Sequence, residues 1–83
     1  MKINIRYFAS IREALGAGEQ VDLPADATVG DLRGLLIERS PTHAAALARG
    51  KALRCALNQT LCDESAAIVD GAEVAFFPPV TGG

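Results

Sequence analysis

The chain ends on Gly82 and Gly83, behind the run Phe76-Phe77-Pro78-Pro79-Val80-Thr81. The group there with chemistry of its own is the terminal carboxylate of Gly83. Ionised at neutral pH, a carboxylate is a poor acyl donor; converted to an acyl-adenylate, it becomes a good one. Chain ends ordinarily fray and tolerate any polar residue, so a stiff segment followed by two residues without side chains calls for a reason. Pro78 and Pro79 fix φ and favour an extended polyproline II path, which could carry Pro78–Gly83 roughly 20 Å from the body of the domain at full extension. Gly82 and Gly83 lack Cβ atoms, so the carboxylate could pass through a channel too narrow for any other residue. A glycine pair alone is equally compatible with a flexible end. The rigid run before it makes the chemical reading the sharper one.

Other catalytic templates find little support. Gly16-Ala17-Gly18 is too short for a phosphate fingerprint and follows a helical pattern where a strand is required. His43 is the single histidine, so a tetrahedral zinc site cannot be filled from His43, Cys55 and Cys62, and no metal is expected. His43 precedes Ala44-Ala45-Ala46 and is expected on the surface of a short helix; no Ser or Cys joins it in a convincing triad. Asp63-Glu64 reads as a solvated loop. Any chemistry on this domain is therefore expected to be performed on its tail by other proteins.

Composition narrows the class. With 83 residues this is one small domain able to bury about 60–65% of its unfolded surface. Eight Lys and Arg against ten Asp and Glu leave a net charge of -2, and the basic residues are dispersed, which argues against nucleic acid as a partner. No apolar stretch approaches a membrane span, and the N-terminus alternates polar and apolar residues where a signal peptide needs a continuous apolar run. A cytoplasmic location is expected.

The elements that must position the tail follow from periodicity. Ile3, Ile5 and Tyr7 alternate with Lys2, Asn4 and Arg6, predicting a strand over 2–8. Ile11 and Leu15 suggest a short helix ended at Gly16. Val21 and Leu23 mark a second strand over 20–23, closed by Pro24. Thr28 with Asp31 resembles a helix N-cap, and Val29, Leu32, Leu35 and Leu36 form the apolar stripe of a main helix reaching about Arg39. Ser40-Pro41 stops it, and Thr42 could cap a short Ala-rich helix. Strands over 53–57 and 60–62 flank Asn58-Gln59, and Asp70-Gly71 turns into a last strand over 72–77. Two strands, one long helix and three more strands cannot be doubly wound. The expectation is an α+β fold, a mixed sheet with Val29, Leu32 and Leu36 packed on one face, with the domain over 1–77 and an extended tail over 78–83.

Strand parity then describes the opposite face. Lys2, Asn4 and Arg6 outward take Phe8 with them; Glu73 outward takes Ala75 and Phe77. A two-residue loop at Asn58-Gln59 pairs Leu57 with Thr60, Ala56 with Leu61 and Cys55 with Cys62, so Arg54 outward carries Ala56 and Leu61 outward. Phe8, Leu61 and Phe77 thus share a face otherwise marked polar, a candidate docking patch beside the tail, although scattered exposed apolar residues are also ordinary. Cys55 and Cys62 point inward as cross-strand neighbours, near enough to bridge but, in a reducing compartment, expected as small buried hydrophobes.

The stretch Asp70-Gly71-Ala72-Glu73-Val74-Ala75-Phe76-Phe77-Pro78-Pro79-Val80-Thr81-Gly82-Gly83 closely resembles the C-terminus of the molybdopterin synthase small subunits, a family of ubiquitin-like sulfur carriers. The likeness extends through Asn58-Gln59-Thr60-Leu61, Tyr7-Phe8-Ala9 and Ile11-Arg12-Glu13, and so spans nearly the whole chain. Ala72 departs from the family, which usually has an acidic residue there, and Cys55 and Cys62 replace other small or apolar residues. The resemblance implies a β-grasp fold and a cycle at Gly83. A ubiquitin-activator-like adenylyltransferase would consume ATP to make the Gly83 adenylate, and a persulfide donor would convert it to a thiocarboxylate. In the active site of the large subunit, that group would attack cyclic pyranopterin monophosphate to help build the molybdopterin dithiolene. It implies a heterotetramer of two large and two small subunits and no cofactor bound to this chain. Gly83 would carry sulfur, Gly82 and Thr81 would lie in the partner's channel, and Phe8, Leu61 and Phe77 would dock partners.

Other readings share the Gly-Gly end. Carriers for thiamine thiazole or tRNA thiolation lack the Phe-Phe-Pro-Pro-Val-Thr run. A protein modifier would join Gly83 to lysines, and a pure interaction module would leave the tail inert.

Overall fold

The computed structural model describes residues 1–79. Thr81, Gly82 and Gly83 of the expected tail lie outside the described residues, as does Val80. The elements are β1 (Lys2–Tyr7), α1 (Ala9–Leu15), β2 (Gly18–Asp22), α2 (Val29–Ile37), α3 (Pro41–Leu47), β3 (Arg54–Leu57), β4 (Thr60–Cys62) and β5 (Glu73–Phe77). The strands form one mixed sheet in the order β2-β1-β5-β3-β4. β1 and β5, the first and last strands, run parallel in its interior, while the other neighbours are antiparallel. This is the expected α+β, β-grasp arrangement.

The alternation in β1 is obeyed residue by residue: Ile3, Ile5 and Tyr7 are buried and Lys2, Asn4 and Arg6 exposed. Against that inner face pack Val29, Leu32 and Leu36 of α2 and Leu47 of α3, all fully buried, with Val74 and Phe76 of β5 completing a single core. α2 starts where the sequence indicates. Thr28 Oγ1 accepts the Asp31 N–H, and the Asp31 carboxylate accepts the Thr28 N–H, a reciprocal cap that satisfies two amides otherwise left without partners.

Several boundaries differ from the sequence expectation. α2 ends at Ile37 rather than about Arg39, with Glu38 as its C-cap. Ser40, not Thr42, caps α3, because Pro41 occupies the first helical position, where its missing N–H costs nothing. β1 stops at Tyr7, and Phe8, still extended, becomes the N-cap of α1. β5 starts at Glu73 rather than Ala72, and β3 at Arg54 rather than Leu53. β2 begins two residues earlier than the apolar pattern suggests, at Gly18 opposite Arg6. A Cβ on Gly18 would lie 2.1 Å from the Ile5 carbonyl oxygen, so that end of the strand can approach β1 only as glycine.

The β3–β4 hairpin has the expected register, Cys55↔Cys62, Ala56↔Leu61 and Leu57↔Thr60. Its loop residues Asn58 and Gln59 both have positive φ, 49° and 68°, the type I′ geometry whose twist matches the flanking strands. The Asn58 side chain accepts the Glu73 N–H at 2.9 Å while the Asn58 N–H donates to the Glu73 carbonyl at 2.8 Å, which fastens the turn to β5. No helix among the described residues is long and apolar enough to cross a membrane.

Candidate functional site

The outer sheet face is built by register. Asn4, Arg6 and Phe8 follow one another along one side of β1 and its extension; Glu73, Ala75 and Phe77 do so on β5, and Arg54 and Ala56 on β3. Arg6 pairs with Ala75, Ala75 with Ala56, and Ala56 with Leu61, giving one row across four strands. The next row holds Phe8, whose N–H donates to the Phe76 carbonyl at 3.2 Å, then Phe77 and its partner Arg54. Phe8 is 40% exposed and Leu61 61%. Phe77 is half-buried, and thus less available than parity alone suggests.

Ala56 and Ala75 point outward as expected, yet each is only 8% exposed. Small side chains in interior strands are overshadowed by larger neighbours on the same face, so the two alanines form a shallow floor between Phe8 and Phe77 on one side and Leu61 on the other. The rim is charged. Arg6 lies 3.7 Å from the Glu73 carboxylate, and its guanidinium carbon sits 5.7 Å from the Phe8 ring centroid, within cation–π range. An apolar centre with an Arg-bearing rim is the anatomy of a protein-docking surface. Arg6 and Arg54 were legible as rim residues, since they share the parity that places Phe8 and Leu61, but in the sequence they serve only to mark the outer side.

Pro78 and Pro79 follow β5 outside any regular element, so the chain leaves the sheet directly from Phe77. The expected chemical group, Gly83, and its neighbours Gly82 and Thr81 lie outside the described residues.

Two polar constellations were not anticipated. His43, expected at the surface, has a side chain 17% exposed. Its Nε2 lies 2.8 Å from Glu19 Oε2, its Nδ1 lies 2.7 Å from Ser40 Oγ, and the Tyr7 hydroxyl donates to the same Glu19 oxygen at 2.7 Å. A carboxylate can only accept, so Nε2 carries the proton. Burial raises the Glu19 pKa, but the hydrogen bonds from His43 and Tyr7 and the charges of His43 and Arg39 outweigh it, and the net shift is downward. Burial and the Glu19 carboxylate hold the Tyr7 phenol well above its ordinary range. The cluster ties β1, β2 and the start of α3 together. With Ser40 Oγ also accepting the His43 N–H as helix cap, it is a structural joint.

Arg33, one of the dispersed cations in the sequence, is 3% exposed. Its Nε donates to the Leu47 carbonyl at 2.8 Å, its Nη2 to the carbonyls of both Ala48 and Lys51, and its Nη1 to Glu64 Oε2 at 2.6 Å. Glu64, read as part of a solvated loop, also receives Arg49 at 3.2 Å. A guanidinium fork satisfies several carbonyls that a helix end and a loop would otherwise leave bare, but one-dimensional spacing carries no sign of it. Cys55 is buried and Cys62 half-buried, both as free thiols, with Sγ atoms 3.8 Å apart.

Comparison with known proteins supplies what the described residues leave open. The model of the ThiS family matches residues 5–83. The chain is 45% identical over 82 residues to the molybdopterin synthase sulfur carrier subunit of Escherichia coli, and 43% identical over 82 residues to that of Haemophilus influenzae; each alignment covers 98% of this chain and 99% of the relative. Among solved structures, the SAMP1 protein of Haloferax volcanii superposes with a TM-score of 0.79 at 29% identity, covering 100% of both chains. The complex of subunits 1 and 2 of the molybdopterin-converting factor from Helicobacter pylori contains a chain matching with a TM-score of 0.68 at 27% identity, again covering 100% of both. With its sheet order, its capped main helix and a family match running through the terminal Gly-Gly, this chain belongs to the ThiS family, in its molybdopterin synthase sulfur carrier branch.

Proposed function

We propose that this chain is the sulfur carrier subunit of a cytoplasmic molybdopterin synthase, and that Gly83 is its reactive residue. The Gly83 carboxylate attacks the α-phosphorus of ATP on a ubiquitin-activator-like adenylyltransferase and expels pyrophosphate. The terminal sulfur of a persulfide donor then displaces AMP to give an acyl disulfide, and a second donor thiol attacks the donor-side sulfur, leaving the Gly83 thiocarboxylate and a disulfide on the donor. Seated in the large subunit, the thiocarboxylate sulfur attacks cyclic pyranopterin monophosphate, and water then cleaves the acyl C–S bond, so that the sulfur stays on the pterin and Gly83 returns as a carboxylate. Thr81 and Gly82 thread the large subunit's channel, and Phe8, Leu61 and Phe77 hold the sheet face against it, in an assembly of two large and two small subunits. The chain itself holds no cofactor; it contributes a sulfur-bearing arm to a sulfurtransferase whose catalytic groups sit on the partner.

The observation that carries this reading is the end-to-end likeness to two named sulfur carrier subunits. The docking part is supported by the apolar centre and Arg-bearing rim of the outer face, from which the tail departs at Phe77. Intact mass of the chain, purified with its native C-terminus from cells with sulfuration machinery, tests the reading beside a variant lacking Gly83. Exchange of one oxygen for sulfur in the full chain alone is the expected result. An unmodified mass when activating enzyme, ATP and sulfur donor are all supplied would refute it.

The likeness to a solved small archaeal modifier protein, at 28% identity and a TM-score of 0.76, favours one second reading, in which Gly83 is conjugated to lysines. Lysine-linked adducts of the chain in cell extracts would support it; thiocarboxylate without adducts would exclude it.

A further inference from the structure

We propose that Cys55 and Cys62 are a dithiol–disulfide couple that closes across the β3–β4 hairpin and changes how the hairpin presents Leu61 to a docking partner. The two residues are directly opposed in the register. Opposed antiparallel residues have Cα atoms roughly 4.5–5.5 Å apart, inside the span of about 4.4–6.8 Å that a disulfide requires. The sulfurs already face one another at 3.8 Å and need to close to about 2.0 Å, a movement that side-chain rotation and a small increase in hairpin twist can provide. The Cys55 thiol also donates to the Cys62 carbonyl at 3.3 Å, which keeps its sulfur on the side of its partner.

Access is asymmetric. Both thiols border a shallow cleft with Leu53, Asp63 and Glu64, but Cys62, on the edge strand β4, is half-buried and the more open of the two. Cys55 is buried, and burial, the Cys62 thiol and the carboxylates of Glu64 and Asp63 push its pKa up to about 12. Cys62 is therefore the attacking sulfur. Its thiolate displaces hydroxide from a hydroperoxide as the O–O bond breaks, leaving a sulfenic acid. The Cys55 sulfur then attacks the Cys62 sulfur, and the departing hydroxide leaves as water with the Cys55 proton. Two thiols lose two electrons and two hydrogens, and hydrogen peroxide becomes two waters. A dithiol reductant reverses the step. Leu61 adjoins Cys62 and pairs with Ala56, the neighbour of Cys55, so a change of twist at the cross-link is felt at Leu61 first. The couple stands on geometry alone; its effect on docking rests on the reading of Leu61 as a docking residue.

The full chain, reduced and then treated with hydrogen peroxide, tests the couple by alkylation of remaining thiols and by intact mass. Both thiols are expected to disappear together, in a monomer lighter by two hydrogens and restored by dithiothreitol, whereas Cys55→Ser gains oxygen at Cys62. Wild-type thiols that stay alkylatable, or a wild-type chain that accumulates oxygen on Cys62 without closing, would overturn it. Affinity for the large subunit is then measured for the reduced, oxidised and Leu61→Ala chains. A change of about threefold or more on oxidation is expected. Equal affinities of both redox forms alongside weakened Leu61→Ala would overturn the effect on docking. Full affinity of Leu61→Ala would overturn Leu61 as a docking residue and leave the thiol couple standing.

Discussion

Replacing Arg33 with Ala is expected to remove about 2–4 kcal/mol of folding stability, chiefly from the backbone carbonyls it leaves without a donor. The size follows from what Arg33 touches. Its side chain, 4% exposed, serves the carbonyls of Leu47, Ala48 and Lys51 and the Glu64 carboxylate. Each buried acceptor left unpaired costs about 1–3 kcal/mol. The Leu47 carbonyl is buried and carries about 1–3 kcal/mol, while those of Ala48 and Lys51 are only partly buried, regain water and together add about 1, giving a loss of about 2–4 kcal/mol. The Glu64 charge adds little, because that side chain is 37% exposed and regains water. A domain of this length has about 4–12 kcal/mol in all at roughly 0.05–0.15 kcal/mol per residue, so the variant should lose a large share of its stability, with Tm lower by about 8 °C or more. Urea unfolding of the full chain, followed by far-UV circular dichroism, measures the change in midpoint at constant m. Glu64→Gln, at the exposed end of the same interaction, should cost about 1 kcal/mol or less. A loss below about 1 kcal/mol for Arg33→Ala with m unchanged would refute the reasoning, since the carbonyls would then have water in the native state.

The double substitution Phe8→Ser with Phe77→Ser should weaken binding to the large synthase subunit by at least about tenfold while cooperative unfolding persists; titration calorimetry and a melting curve check both, and a molten variant would mean these rings belong to the core. Gln59→Gly should stabilise the chain by about 0.5–1 kcal/mol, since φ at this turn position is 68° and glycine takes it without strain; a lower urea midpoint would count against the type I′ assignment. Glu19 has a lowered pKa in the folded chain, so its contribution is complete above its unfolded value and fades as pH falls below that value through the folded one. Stability measured across the acid limb should therefore be flatter in Glu19→Gln than in the wild type, and parallel curves would show that the His43–Glu19–Tyr7 joint is not felt by the carboxylate.

Much of the fold was legible because it is written in short-range pattern. The alternation of β1, the Thr28–Asp31 cap, the apolar stripe of α2 and the two-residue turn at Asn58-Gln59 are each set by residues within a few positions of one another, where steric and hydrogen-bonding rules act directly. The register of the hairpin follows from the length of its turn, and the outward placement of Phe8, Leu61 and Phe77 follows from a period of two. The likeness of the Gly-Gly end to sulfur carriers was equally available, because it resides in a contiguous string of residues.

Tertiary structure decided what depends on partners distant in the chain. That β1 and β5 lie side by side and parallel, bringing Phe8 alongside Phe77, is a pairing across most of the sequence that no local pattern encodes. Arg33 and Glu64, 31 residues apart, and His43 and Glu19, 24 apart, look like ordinary surface charges until the helix layer brings them together. Exposure, too, is a three-dimensional quantity. Parity places Ala56, Ala75 and Phe77 on the outer face, but the neighbours crowding them there determine how much of each meets water, because coverage depends on side chains from adjacent strands rather than on direction along one.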